Sequence, residues 1–175
     1  AASTAEILRG ALAENEAAVE GNGVTMTAGT AESVYGGATY MTDSSNNLVG
    51  GNGRAEKNTV AVTGGAVTKE IAGGVGYRAD GNIVTITGGT IGTTMQAADV
   101  YGGKTTEGPG SGTTDNVVNL GAEDGTYAAD LTNAQVHGDN STDSAVNNNV
   151  LNVRGKDITV KSVDNFDKYN FKLKG

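Results

Sequence analysis

Two short motifs alternate strictly along the chain, and no other feature constrains the fold as tightly. The first reads Asn-x-Val-x-Val, with Val standing for any aliphatic residue. It occurs as Asn22–Met26, Asn58–Val62, Asn82–Ile86, Asn116–Leu120 and Asn149–Val153, with successive Asn starts separated by 36, 24, 34 and 33 residues. Gly follows soon after, as in Thr63-Gly64-Gly65 and Thr87-Gly88-Gly89. The second motif falls between copies of the first, as Val34-Tyr35-Gly36-Gly37, Ile71-Ala72-Gly73-Gly74 and Val100-Tyr101-Gly102-Gly103. Weaker copies are Val136-His137-Gly138-Asp139 and Ile7-Leu8-Arg9-Gly10.

Side chains alternate faces along a strand, so Asn and the two aliphatic residues at i, i+2 and i+4 point the same way. Thr25, Ala61, Thr85, Asn119 and Asn152 point the other way. Each copy thus predicts a short strand with one aliphatic face, and the Gly pair predicts a corner with φ > 0. One such unit cannot bury its own face, but a stack of them can. The expectation is an all-β parallel β-helix, or β-solenoid, of right-handed winding and about five coils, one per motif copy. Residues 1–175 form a single domain on this reading. Residues 1–21 are a cap or first partial coil, 22–155 the repeats and 156–175 a closing coil. Insertions at Met41–Lys57, Lys104–Asp115 and Gly121–Gln135 are rich in small polar residues and are expected to bulge outward without touching the core.

Stacking would superpose Asn22, Asn58, Asn82, Asn116 and Asn149. Their constant parity with the aliphatic positions favours an inward ladder of hydrogen-bonded amides. The alternative is that they simply occupy turns, which Asn favours anyway.

The ends read differently. Ser3-x-x-Glu6 fits a capping box, and Ile7, Leu8, Ala11, Leu12 and Ala18 partly fit a helical stripe, so residues 3–19 admit a capping helix. The repeat alignment instead makes Ile7–Gly10 a strand. At the other end Tyr169, Phe171 and Leu173 alternate with Asn170, Lys172 and Lys174, which predicts a closing strand. Phe166 and Phe171, the only two Phe of the chain, lie there and are expected to seal the core. Residues 1–33 carry Glu6, Glu14, Glu16, Glu20 and Glu32 against Arg9 alone. From residue 154 onward Arg154, Lys156, Lys161, Lys168, Lys172 and Lys174 outnumber Asp157, Asp164 and Asp167. Opposite charge at the two ends of a rod with open strand edges suggests head-to-tail self-association into open filaments, with Glu6, Glu14, Glu16, Glu20, Lys161, Lys168, Lys172 and Lys174 as contact candidates. Equally, Lys on an edge strand can block such pairing.

Composition narrows the function. The 28 Gly, single Pro and absence of Cys and Trp leave Val, Ile, Leu, Ala and a few Tyr to build the core. Without Cys there is no thiolate zinc site, thiol nucleophile or disulfide. A formal net charge of −8 disfavours nucleic acid and anionic membrane as partners. No apolar stretch is long enough to insert in a bilayer as a helix. The start Ala1-Ala2-Ser3 is of the kind signal peptidase leaves behind, which fits export.

Catalytic patterns are sparse. His137 is the only His and occupies the Tyr slot of a second-motif copy. Ser141 and Ser144 lie nearby, but no Gly-x-Ser-x-Gly elbow is present. Enzymes on parallel β-helices need paired carboxylates, or calcium-binding Asp with a basic residue, projecting from one face. None of the outward first-motif positions is acidic, which leaves loop acids such as Asp43, Glu107, Asp115, Glu123, Asp124 and Asp130. Gly50-Gly51-Asn52-Gly53-Arg54 only weakly matches a calcium-binding nonapeptide, and Ala122-Glu123-Asp124-Gly125 reads as a solvated run. Thr25/Thr27 and Thr85/Thr87 raise an ice-binding array, but the pairs are missing from the other copies.

The alternating Asn-x-Val-x-Ile-x-Gly-Gly and Val-Tyr-Gly-Gly segments resemble passenger regions of bacterial autotransporter and haemagglutinin-like surface adhesins. The resemblance covers roughly residues 7–175 and is clearest over 22–121. It implies a parallel β-helix exported to the cell surface in the Gram-negative manner, with a structural or adhesive role, a host glycan or protein receptor as partner, and no catalytic residue or cofactor. The chain departs from the pattern in having neither a long array nor a membrane barrel. The competing reading, from a different class, is a polysaccharide lyase or glycosidase with a loop-built site.

Overall fold

The computed structural model describes residues 3–14, 16–42, 44, 48–106, 113–142 and 147–172. Among them every regular element is a strand and none is a helix. The first-motif strands are β3 (Gly23–Met26), the start of β7 (Thr59–Gly76), β8 (Ile83–Ile91), β11 (Val117–Leu120), β14 (Val150–Val153) and β16 (Lys168–Phe171). They pair in this order, always parallel. The second-motif strands are β1 (Thr4–Glu14), β4 (Thr30–Thr42), the end of β7, β9 (Ala98–Tyr101), β13 (Ala134–His137) and β15 (Ser162–Asp164). They too pair in order and in parallel. Because β7 takes part in both stacks, the two form one strongly curled sheet with the aliphatic faces inside.

Register follows the motif. Val24, Val60, Val84, Val118, Leu151 and Tyr169 lie opposite one another in a single column. A second column runs Leu8, Val34, Ile71, Val100, Val136 and Val163. Val60, Val84, Val118, Val34, Ile71 and Val100 are at most 1 % exposed. A fully buried Val or Ile contributes on the order of 1.5–3 kcal/mol, so the two columns, with the fully buried Val62, Val67, Ile86, Ile91, Leu120 and Leu131 beside them, supply the core of a chain poor in aromatics.

Corners are set by backbone sign. Gly65 (φ 87°) and Gly89 (φ 90°) turn the chain after the first-motif strands. The residue before each ladder Asn is also left-handed: Gly21 (70°), Lys57 (54°), Gly81 (63°), Asp115 (59°) and Asn148 (56°). Asp and Asn tolerate that region, whereas Lys57 is the exception there.

Residues 4–14 are a strand, as the repeat alignment has it, rather than the capping helix that their composition also admits, because pairing with β4 satisfies their backbone along an 11-residue strand. Three expectations need correction. The alignment of that strand slips by one: Leu8, not Ile7, faces Val34, and Ile7 is left 38 % exposed. The third insertion does not stay outside. Its strand β12 (Ala128–Asp130) pairs with Gly88–Thr90, and Leu131 is buried in the core. Finally, the aromatic seal is incomplete. Phe166 packs on the core, but Tyr169 and Phe171 are 47 % and 70 % exposed. Leu173 and Lys174 lie outside the described residues.

The first insertion forms the one antiparallel pairing among the described strands, β4 with β5 (Leu48–Gly50), before β6 (Ala55–Glu56) pairs in parallel with β2 (Val19–Glu20).

Candidate functional site

The five motif asparagines form one continuous chain of hydrogen bonds. The backbone N–H and the side-chain amide of Asn22 both donate to Asn58 Oδ1, at 3.0 and 3.3 Å. Asn58 does the same to Asn82 (2.9 and 3.2 Å) and Asn82 to Asn116 (2.9 and 3.1 Å). Asn116 repeats it on Asn149, at 3.0 and 3.2 Å. The remaining amide proton goes to a backbone carbonyl, Val19 for Asn58 and Ala55 for Asn82. Asn58, Asn82, Asn116 and Asn149 are fully buried, and Asn22 at the open end is half-buried. A buried amide left unpaired is costly, and this arrangement leaves few polar groups of the column unpaired.

At its far end the column changes chemistry. The N–H of Asn149 donates to Asp167 Oδ2 at 3.0 Å, so Asp167 takes the place of a sixth Asn. The side-chain amide of Asn149 turns instead to the buried carboxylate of Asp139, at 2.7 Å. Asp139 also accepts from the Ser141 N–H and from Asn147 Nδ2, both at 2.8 Å. The sequence reading missed Asp167-Lys168-Tyr169-Asn170-Phe171 as a sixth copy because Asp replaces Asn and aromatics replace aliphatics.

The second motif's glycines serve this column. A Cβ on Gly37, Gly74 or Gly103 would stand within 2.7 Å of an atom of Asn58, Asn82 or Asn116 respectively. These Gly pairs are required for close approach, not for a turn, and this explains why the two motifs alternate.

A second polar column lies on the opposite side of the same strands. Asn119 Nδ2 donates to Thr85 Oγ1 at 3.0 Å, Asn152 Nδ2 to Asn119 Oδ1 at 2.8 Å and Asn170 Nδ2 to Asn152 Oδ1 at 2.9 Å. Ala61 sits between Thr25 and Thr85 in this column, so the threonines do not form a continuous array.

Around the curl, the second-motif strands present a charged column that the sequence reading passed over. Ser33, Glu70, Asp99, Gln135 and Ser162 are in register, as are Arg9, Tyr35, Ala72, Tyr101, His137 and Asp164. His137 stacks on Tyr101 (ring centroids 4.8 Å apart), and its Nδ1 meets the Asp164 carboxylate. Its Nε2 is 3.5 Å from Asp99 Oδ1, too long for a good hydrogen bond, while Gln135 Nε2 donates to that oxygen at 2.8 Å. Glu70 pairs with Lys104, whose ammonium lies 5.2 Å from the Tyr101 ring centre. Burial, reinforced by Glu70, pushes the Tyr35 phenol up to about 12, and burial with Asp99 raises Tyr101 as well. Period-2 parity in the second motif places Glu70 and Asp99 outward, one residue before the buried Ile71 and Val100.

Of the end-contact candidates, Glu6, Glu14 and Glu16 are exposed at the β1 end, and Lys161, Lys168 and Lys172 at the β15–β16 end. Glu20 is already ion-paired to Lys57 at 2.5 Å, which lowers the Glu20 carboxyl and raises the Lys57 ammonium. Lys174 and the loop acids Asp43 and Glu107 lie outside the described residues. Beside β16, Leu120, Leu151, Val153, Ile158, Val160, Val163, Tyr169 and Phe171 line an apolar hollow of about 300 Å³. Among the described residues no three His, Asp or Glu side chains gather as a metal site requires.

The class that fold and columns define is therefore an all-β chain of parallel strands held by asparagine and aliphatic stacks. Neither family models, nor curated proteins, nor solved structures match this chain.

Proposed function

We propose that the chain is a right-handed parallel β-helix of about five coils, one per Asn-led repeat, that acts as a structural or adhesive module outside the cell. The observation that carries this reading is the unbroken amide column from Asn22 to Asn149, with Asp167 closing it. Each rung fixes the next, so the stack is a stiff scaffold whose first two insertions, both between a second-motif strand and the next ladder Asn, serve as display surfaces for a glycan or protein receptor. The acidic charge, the absence of Cys and the resemblance to passenger regions of bacterial surface adhesins support export to the cell surface.

One observation favours the polysaccharide-active reading: Asp99 and Asp164 both approach His137 on one face. Against it, Asp99 accepts from Gln135 and Asp164 is paired with the imidazole, so both carboxylates already serve the column. Incubation with pectate and other acidic polysaccharides is the test. No new reducing or unsaturated ends are expected, and release that disappears in Asp99→Asn would overturn the non-enzymatic reading. Hydrogen exchange tests the scaffold: the amides of Asn58, Asn82, Asn116 and Asn149 should exchange slowly and together.

A further inference from the structure

Among the described residues β1 and β3 at one end, and β15 and β16 at the other, have a strand partner on one side only. Carrying each column one step past β15 or β16, onto the β1 and β3 of a second molecule, gives a specific set of meetings. The Arg9 column ends in Asp164, so Asp164 of one copy would meet Arg9 of the next. One corner further back, Glu6 aligns with Glu32, which is ion-paired to Lys69; the same column reaches Lys161, whose N–H donates to the Ala134 carbonyl. Lys161 would therefore meet Glu6, reproducing between molecules the Glu32–Lys69 pair found within one. The two contacts have opposite polarity, so a register slipped by three residues sets like charges together.

The neutral positions agree. Val163 would meet Leu8 in the aliphatic column, and the exposed Tyr169 and Phe171 would cover Val24 and Met26. Asn170, last in the outer amide column, would meet Thr25, as Asn119 already meets Thr85. The hollow beside β16 would be roofed by the β1 and β3 side chains that head the inward columns, Leu8, Val24 and Met26. The order of the motifs also stays unbroken, since a first-motif strand, β16, would be followed by a second-motif strand, β1.

We propose that the occupant of this end is a second copy of the chain, docked head to tail with Asp164 on Arg9 and Lys161 on Glu6. The contact is heterologous and does not close, so it propagates into an open fibre. This rests on the β-helical reading above and adds to it the partner and the register.

The experiment uses the full chain and its variants Arg9→Glu and Asp164→Arg, with sedimentation velocity and negative-stain microscopy as readouts and circular dichroism to check folding. Wild type should form unbranched fibres at high concentration. Each single reversal should sediment as single chains, and an equimolar mixture of the two should form fibres again, because every junction then pairs opposite charges. Glu6→Lys and Lys161→Glu, alone and mixed, repeat the test without touching His137. A folded wild type that stays dispersed at every concentration, single reversals that polymerise like wild type, or a folded mixture that stays dispersed would each overturn the proposal. A dispersed chain whose ladder amides still exchange slowly removes only the docking, whereas fast exchange at those amides removes the scaffold on which it rests.

Discussion

Asn82 gives both its backbone N–H and its side-chain amide to the single oxygen Asn116 Oδ1, at 2.9 and 3.1 Å, with both residues fully buried. One carbonyl thus satisfies two donors on the neighbouring repeat, and the pairing cannot be replaced by water. Asn116→Ala strands both donors. Each unsatisfied buried group costs roughly 1–3 kcal/mol, so a loss of about 3 kcal/mol is expected in urea unfolding. Asn22→Ala, at the half-buried end where no earlier rung uses its oxygen, should cost at most about 1 kcal/mol. Equal losses at the two sites would show that the column does not act as a chain of shared acceptors.

Gly74 faces that column. A Cβ there would lie 2.6 Å from Asn82 Oδ1 and 2.7 Å from the Ala55 carbonyl, and neither can retreat without breaking its own bonds. Gly74→Ala is therefore expected to cost about 3 kcal/mol, the upper range for overpacking. Gly81 offers the contrast: φ is +63°, but only Lys57 Cγ at 3.6 Å lies near. Gly81→Ala should cost about 1 kcal/mol for the left-handed backbone alone, and Gly81→Asn less. Asn148 holds the equivalent place at φ 56°. Thermal unfolding of the three variants should rank them in that order.

The core should show the same dependence on position. Ile86 is fully buried between the repeats above and below it, so Ile86→Ala is expected to cost about 2–5 kcal/mol. Val153 lies only partly buried beside the hollow at the β16 end. Val153→Ala should cost less than half as much, because the site is already open to solvent on one side. Chemical denaturation with a common slope for both variants would check the comparison.

How much of this was legible in the sequence depended on whether spacing or company decided the outcome. The stacking of Val60, Val84 and Val118 was readable because period-2 parity and a fixed Asn start leave one register that buries them all. The strand at Thr4–Glu14 was ambiguous, since its Ile, Leu and Ala fit two periods and only the edge of β4 decides between them. The one-residue slip at Leu8 was hidden because Ile7 and Leu8 are equally apolar. Asp167 escaped notice because an Asp can accept from Asn149 as an Asn does, although it cannot donate onward. The Glu70–Asp99 column follows from the same parity, since each carboxylate stands one residue before a buried aliphatic, Ile71 or Val100. The buried Leu131 could not be found in that way at all, since its insertion has no counterpart in the other repeats.

Tyr35 and Tyr101 make the fold sensitive to alkali. Both phenols are raised by burial first and then by neighbouring carboxylates, Glu70 for Tyr35 and Asp99 for Tyr101. In the unfolded chain a tyrosine ionises near pH 10. A group whose folded value is raised lends stability that is fully present below the unfolded value and is lost as the pH climbs through the folded one. Since Tyr35 sits at about 12, the loss should begin above about pH 10 and deepen towards 12. Burial also raises the Tyr127 phenol, so tyrosinate absorbance followed against pH should show three phenols ionising late, Tyr35 and Tyr101 only together with loss of the β-sheet dichroism. Tyr35→Phe keeps the ring and removes the ionisable group, so it should shift the alkaline unfolding midpoint upward while leaving stability at neutral pH within about 1 kcal/mol, the worth of one hydroxyl's hydrogen bond. An unmoved alkaline midpoint in Tyr35→Phe would assign the transition to other groups. A midpoint moved further by adding Tyr101→Phe would assign it to this column.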